Sequence, residues 1–383
     1  MSDSSRTPWW LARRDALLAL LGGRDCAYVY DLATVRRQAA ALRGMRSIAR
    51  VLYALKANPH PDILRTVFAA GCGFECVSRP EAERVLESVP GIEREHILFT
   101  PNFAPRDEYR WALHQGLRVT VDNLAILRDW SALFAGREIF LRLDATRGHG
   151  HHEKVRTGGR RSKFGVPPEE FAELPAAVAA AGARVVGLHA HGGSGHFELA
   201  GWLEPARVLA AVAARFPDVR VLNLGGGFGV PDRPGRPPVD LPALDAALAG
   251  VAGGEPRFEF WLEPGRYLVA EAGVLLARVT QVKGKGNARY VGIATGMNSL
   301  IRPALYGAHH EIVNLSRIDE PATLRCTVVG PICESGDELG RDRLLPRCVE
   351  GDVLLIADAG AYGHAMSSHY NLRPPAQELV VPP

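Results

Sequence analysis

Between residues 27 and 270 short apolar strands alternate with Ala/Leu-rich helical segments, and this alternation constrains the fold more than any other feature of the chain. Strand character falls at 50–55, 73–76, 97–99, 118–121, 138–143, 185–189, 220–224 and 258–262. Helical segments at 61–70, 79–89, 105–115, 123–134, 168–181, 201–215 and 241–252 lie between them. Eight strands, each followed by a helix or loop, is the count of a closed (β/α)8 TIM-like barrel. An open doubly wound sheet satisfies the same pattern, because periodicity carries no information on closure. After residue 270 the texture changes: 273–282, 288–293, 322–329 and 352–357 are rich in β-branched residues, with glycine and proline between them. The expected class is α/β, a barrel over 26–270 followed by a C-terminal all-β domain over 271–383, on which residues 1–25 pack.

A chain of 383 residues is long enough for two cores. Its 45 basic and 42 acidic residues leave a net charge of +3, too little to favour nucleic acid or a membrane surface. No stretch reaches the ~18 apolar residues of a membrane span, and residues 1–14 lack the apolar centre of a secretory signal. The six cysteines, Cys26, Cys72, Cys76, Cys326, Cys333 and Cys348, form no C-x-x-C pair or dense framework, which suits a reducing compartment. The expectation is a cytoplasmic protein with a small-molecule partner and no metal site.

Functional groups of a barrel gather where its strands end. Lys56 ends the first predicted strand; if buried there, its ammonium is disfavoured and the free amine becomes a Schiff-base nucleophile. The plainer reading is a solvated lysine at a strand end. His189 and His191 end another strand, beside Gly192-Gly193-Ser194-Gly195. Gly225-Gly226-Gly227-Phe228-Gly229 follows a third; side-chain-free backbone there cradles an anion or simply makes a tight turn. Glu263-Pro264-Gly265-Arg266 follows the last, with Arg266 a forked anion donor and Glu263 either a functional carboxylate or its structural partner. A lysine amine, an anion cradle, an imidazole and a carboxylate together suit pyridoxal 5'-phosphate.

The motifs Tyr53-Ala54-Leu55-Lys56-Ala57-Asn58, His191-Gly192-Gly193-Ser194, Gly225-Gly226-Gly227-Phe228-Gly229, Glu263-Pro264-Gly265-Arg266, Cys333-Glu334-Ser335 and Ala361-Tyr362-Gly363 occur in an order that resembles the alanine-racemase-like pyridoxal phosphate decarboxylases. Three stretches, Met297 through Tyr306, Gly330 through Asp337 and Met366 through Asn371, are most similar to the branch acting on diaminopimelate, as is the loop His151 through Gly159 with Ser162-Lys163-Phe164-Gly165. The chain departs from the family pattern at Gly192, at His196-Phe197, at Ser299 and at Ser78 through Glu81.

The resemblance implies decarboxylation of meso-diaminopimelate to L-lysine and CO2; the alternatives are a decarboxylase of a related carboxylated amino acid or siderophore or antibiotic intermediate, or of ornithine, lysine or arginine, then a racemase or a non-catalytic pyridoxal phosphate-binding homologue. It implies that Lys56 carries the cofactor aldimine, His191 stacks on the ring, and Ser194, Gly225, Gly226, Gly227, Gly265 and Arg266 serve the phosphate. Glu263 faces the ring nitrogen, and Tyr362 contacts cofactor or substrate. Arg266, Arg302, Tyr306 and Glu334 hold substrate, and Cys333 donates the proton. It also implies a homodimer with shared active sites, in which the β-domain completes the partner's site. Glu75 and Glu81 match acidic positions near the cofactor in that family; the alternative is a structural role as helix-flanking carboxylates. Physical chemistry favours the substrate assignment: diaminopimelate carries a distal carboxylate and ammonium, which call for a fixed cation such as Arg302 and an acid such as Glu334.

Overall fold

The computed structural model describes residues 7–145, 162–233, 235–251 and 258–382. The chain divides into two compact units. One comprises residues 36–229 and 238–267; the other combines the N-terminal residues through 35, the segment 230–237 and the chain from 268 onward.

The first strand, β1 (Cys26–Tyr30), belongs to the second unit. The first unit is a barrel of eight parallel strands paired in chain order: β2 (Ile48–Ala54), β3 (Gly73–Cys76), β4 (Ile97–Phe99), β5 (Arg118–Val121), β6 (Glu138–Arg142), β7 (Arg184–His189), β8 (Val221–Asn223) and β9 (Glu259–Leu262). The ring closes where β2 pairs with β9, with Ile48 opposite Phe260 and Val51 opposite Leu262, so the open sheet is excluded. Every residue of β3, β4 and β8 is buried. A strand walled by helices outside and by side chains inside has no solvent face, which is why these segments read as unbroken apolar runs.

The interior is layered. Leu52, Leu98, Phe140 and Val221, from alternate strands, form one layer against which Trp261 packs. Phe140 has room because β7 offers Gly187, where a Cβ would lie 2.3 Å from the ring. At the N-terminal end the Arg50 and Arg118 guanidiniums sit 5.2 and 5.3 Å from the Trp261 ring centroid. Helices on the outside start on local signals. Helix Arg79–Ser88 begins with the Ser78 hydroxyl accepting the Glu81 N–H and with proline in the first turn. The helix expected over 123–134 is two, Leu124–Asp129 and Ser131–Phe134, broken where Trp130 leaves helical geometry and meets Tyr109 with ring centroids 5.5 Å apart.

The second unit is a mixed sheet. Its strands are β10 (Gly273–Lys285), β11 (Ala288–Ile293), β12 (Ile312–Asn314), β13 (Leu324–Val329), β14 (Glu338–Leu345), β15 (Val353–Ile356) and β16 (Gln377–Val380), joined by β1. The order is β12-β15-β10-β11-β13-β14, with β1 antiparallel to β10 and parallel to β16. Leu17 and Leu21 of helix Arg14–Leu21 pack with Ala27, Val29, Val274, Leu276, Val353 and Leu355. The barrel boundary expected at residue 26 is therefore corrected: β1 lies outside the barrel, because a ring already closed by β2 and β9 has no edge for another strand. Strand β14 went unanticipated because its charged Glu-Leu-Gly-Arg-Asp-Arg run lacks regular alternation. Among the described residues no helix is long and apolar enough to cross a membrane.

Trp261 links its layer to the Arg50 and Arg118 guanidiniums. Trp261→Ala is expected to destabilise the protein by about 3–5 kcal/mol, read as a lower urea midpoint; an unmoved midpoint refutes this packing.

Candidate active site

At the C-terminal mouth of the barrel the strands end on polar side chains. Just past β2 a 3-10 turn, Leu55–Ala57, presents Lys56; β3 contributes Glu75, β6 Arg142, β7 His189 and β8 Asn223, and Glu263 follows β9 directly. Thr100 and Asp122, buried, follow β4 and β5.

The turn after β2 is fixed by two hydrogen bonds: Ala54 N–H donates to the Pro264 carbonyl at 3.1 Å and the Tyr53 hydroxyl to the Asn58 carbonyl at 2.9 Å. Lys56 Nζ then lies 2.5 Å from Glu75 Oε2. The Lys56 side chain is 41% exposed and that of Glu75 2%. The expectation of a buried lysine is thus corrected: the cost of burial falls on the carboxylate, while the amine remains accessible. Burial pushes the Glu75 carboxyl up, against the pull of Lys56 and with Glu263 adding to the push. Glu81 accepts the Val77 N–H at 2.7 Å, yet burial, with Glu75 close by, raises it to about 7.

Glu263 goes the other way. Burial alone would raise it, but His189 and Lys56, with the hydrogen bonds from His189 and Asn223, outweigh that and hold it at about 2. His189 Nε2 is 3.0 Å from Oε2, and Asn223 Nδ2 donates to Oε1 at 2.7 Å. Glu263 is therefore an ionised carboxylate at neutral pH. His189 Nδ1, on the far side of that ring, is buried and has no hydrogen-bond partner among the described residues. Asn223 also accepts the Gly225 N–H at 3.0 Å, so one side chain fixes both the carboxylate and the start of the glycine run.

The glycines are required by crowding among three loops. A Cβ on Gly226 would lie 2.2 Å from the Glu263 carbonyl oxygen and one on Gly227 2.6 Å from that of Gly193; Gly225 and Gly227 have φ +66° and +88°. Gly226 N–H donates to His191 Nδ1 at 3.2 Å, which places the His191 proton on Nε2. Burial, with Arg142 and Lys56 nearby, holds His191 well below the usual imidazole range, so the ring is neutral. Arg266 Nη2 donates to Ser194 Oγ at 3.1 Å, bringing a guanidinium and a hydroxyl together beside the glycines.

The remaining predicted residues stand in the β unit. Arg302, buried, opens the short helix Arg302–Tyr306, and Tyr306, half-buried, closes it. Cys333 and Glu334 are exposed, and Cys333 is the one exposed thiol of the six. Tyr362 is half-buried and held at φ +56°, a conformation that a bulky residue rarely adopts. The His151 through Gly159 segment lies outside the described residues. Sequence reasoning passed over Asn223, Asp122 and Arg142. Each is a polar residue ending, or following, an apolar strand, the same signal that singled out Lys56.

A sequence profile described as the pyridoxal-binding domain of the pyridoxal-dependent decarboxylases matches residues 32–270. The chain belongs to that family. It is 36% identical to the diaminopimelate decarboxylase of Methanothermobacter thermautotrophicus, over 94% of this chain and 90% of that one. It is 38% identical to the diaminopimelate decarboxylase of Deinococcus radiodurans, over 92% and 89%. The crystal structure of diaminopimelate decarboxylase from Helicobacter pylori complexed with L-lysine superposes with a TM-score of 0.87 at 28% identity, covering 96% of this chain and 94% of that one.

Pyridoxal phosphate is the cofactor of this decarboxylase, and the barrel mouth fits it. It offers an accessible amine, an ionised buried carboxylate, a neutral imidazole, and a guanidinium and hydroxyl beside a wall that any Cβ would fill.

The raised Glu81 carboxyl has a measurable consequence. A carboxyl that holds its proton more tightly folded than unfolded loses stability as pH rises from its ordinary 4.5 through about 7. Glu81→Gln is expected to raise the melting temperature at pH 8 and leave it unchanged at pH 4; equal shifts at both pH values would contradict the burial argument.

Proposed function

We propose that this chain decarboxylates meso-diaminopimelate to L-lysine and CO2. The observation that carries the reading is the pairing of an accessible Lys56 amine with an ionised Glu263 in one barrel mouth, on a chain whose relatives over more than nine-tenths of its length are diaminopimelate decarboxylases. Lys56 Nζ would hold the cofactor through its aldehyde group, with loss of water. Glu263, fixed by His189 and Asn223, would serve the ring nitrogen and favour its protonated form. His191 lends a neutral ring face for stacking. Ser194, Arg266, Gly265 and the run Gly225 to Gly227 serve the phosphate, with Tyr362 touching phosphate or substrate.

Bound there, pyridoxal phosphate supplies a conjugated electron sink for the pair left on the substrate Cα. The chain's own residues handle the rest. When the Cα–carboxylate bond breaks, CO2 leaves without the bonding pair, and Cα needs one proton. Cys333 gives its thiol proton to Cα, and the exposed thiolate regains one from water. Arg302 grips the distal carboxylate, Glu334 pairs with the distal ammonium, and Arg266 and Tyr306 also serve the substrate. Burial of Arg302 supports this role, since a desolvated guanidinium discriminates strongly for a charged partner.

The reading includes a homodimer in which Cys333 and Glu334 enter the partner's site. Their exposure supports it, as do Tyr370 and Leu372 near them in the fold, exposed to 44% and 93%. Six free thiols suit a cytoplasmic location.

Two measurements test the reading. Lys56→Ala is expected to abolish the visible absorbance of the cofactor-loaded enzyme; retention of that band together with CO2 release rejects the lysine. CO2 release measured over meso-diaminopimelate, lysine, ornithine and arginine is expected to favour the first. Arg302→Ala should cost on the order of 3 kcal/mol of that preference, the scale of an unmet charge-assisted contact. An unchanged preference removes Arg302 from the distal clamp.

A further inference from the structure

The loop Gly330 through Asp337 carries Cys333 and Glu334 and has no helix or strand to direct it. Two successive N–H groups in it are instead caught by side chains. Ile332 N–H donates to Asp337 Oδ2 at 2.8 Å, within the same loop. Cys333 N–H donates to Asn371 Oδ1 at 2.6 Å, from a segment 38 residues further on. Asp337 is buried and also accepts the Met297 N–H through Oδ1 at 2.6 Å, so one end of the loop is anchored to the chain leading to Arg302. Gly296 and Gly330 close around this carboxylate, since a Cβ on either would lie 2.3 Å from an Asp337 oxygen. Asp337 thus locks the loop from inside, and the bond to Cys333 itself comes from Asn371.

Asn371 is well suited to that bond. Its backbone is left-handed, φ 56° and ψ 25°, a region asparagine tolerates better than other side-chain-bearing residues. The turn is closed by Leu372 N–H donating to the His369 carbonyl at 2.8 Å. Tyr370 and Leu372 point outward on either side while the Asn371 amide oxygen turns back to the Cys333 backbone. A peptide plane held at its N–H has little freedom to rotate, and the side chain that follows inherits its direction.

We propose that Asn371 is a positioning residue that sets the direction of the Cys333 thiol. The proposal rests on Cys333 being the proton donor, so the test reads thiol placement separately from turnover. The full-length, cofactor-loaded enzyme is compared with Asn371→Gly, which keeps the left-handed turn but deletes the acceptor, and with Asn371→Asp, which keeps both. The first measurement is the rate at which iodoacetamide alkylates Cys333, followed by mass spectrometry of its peptide. The second is kcat and KM for meso-diaminopimelate.

Asn371→Gly is expected to change the alkylation rate at least threefold and lower kcat about tenfold, the factor set by one hydrogen bond of ordinary net worth. KM should hold, and Asn371→Asp should return both rates toward the original. If the glycine variant alkylates and turns over like the original enzyme, Asn371 serves only the turn and the proposal fails. If alkylation changes while kcat does not, Asn371 still directs the thiol, and the reading of Cys333 as donor is what falls.

Discussion

Everything at the barrel mouth depends on the pairing of β2 with β9. That contact joins segments more than two hundred residues apart and puts Lys56, just past one strand, beside the loop that follows the other. The Ala54 N–H bond to the Pro264 carbonyl is the last rung of this closure, one turn before the lysine. Ring closure also turns eight strand ends into one polar circle, in which Lys56, Glu75, His189 and Glu263 feel one another's charge.

Within that circle two buried carboxylates are driven in opposite directions. Glu75 has one accessible cation beside it and rises; Glu263 has an imidazole and an amide bound to separate oxygens and falls to about 2. The difference lies in how completely each is satisfied, not in depth, since both are buried. One carboxylate is held ionised by its partners, while burial works against ionisation of the other.

The β unit applies a different device. Its functional loops have little secondary structure, and single polar side chains stand in for it: Asp337 caps two loops, Asn298 accepts the Gly296 N–H and reaches the carbonyls of Arg373 and Pro374, and Asn371 takes the Cys333 N–H. Asn371, itself in a left-handed conformation, is part of this network.

Much of this was legible before the fold. The eight barrel strands fall within two residues of where apolar runs end, because a parallel strand buried on both faces writes its boundaries into hydrophobicity. Lys56, His191, the glycine run and Glu263 stand out because chemistry-bearing residues at strand ends interrupt those runs. Strands β1, β12, β14 and β16 were not legible: β1 is a barrel-like apolar run claimed by another sheet, β14 is a charged edge, and β12 and β16 are only three and four residues long. The sequence by itself determined the elements and the kinds of groups at their ends, both local properties of the chain. Only the tertiary structure decided that Glu263 is bound by His189 and Asn223, that Lys56 stays accessible beside a buried Glu75, and that Asn371 holds Cys333. Those are pairings across 19 to 74 residues, set by which strand ends and loops the fold brings within hydrogen-bonding distance, and no periodicity encodes them.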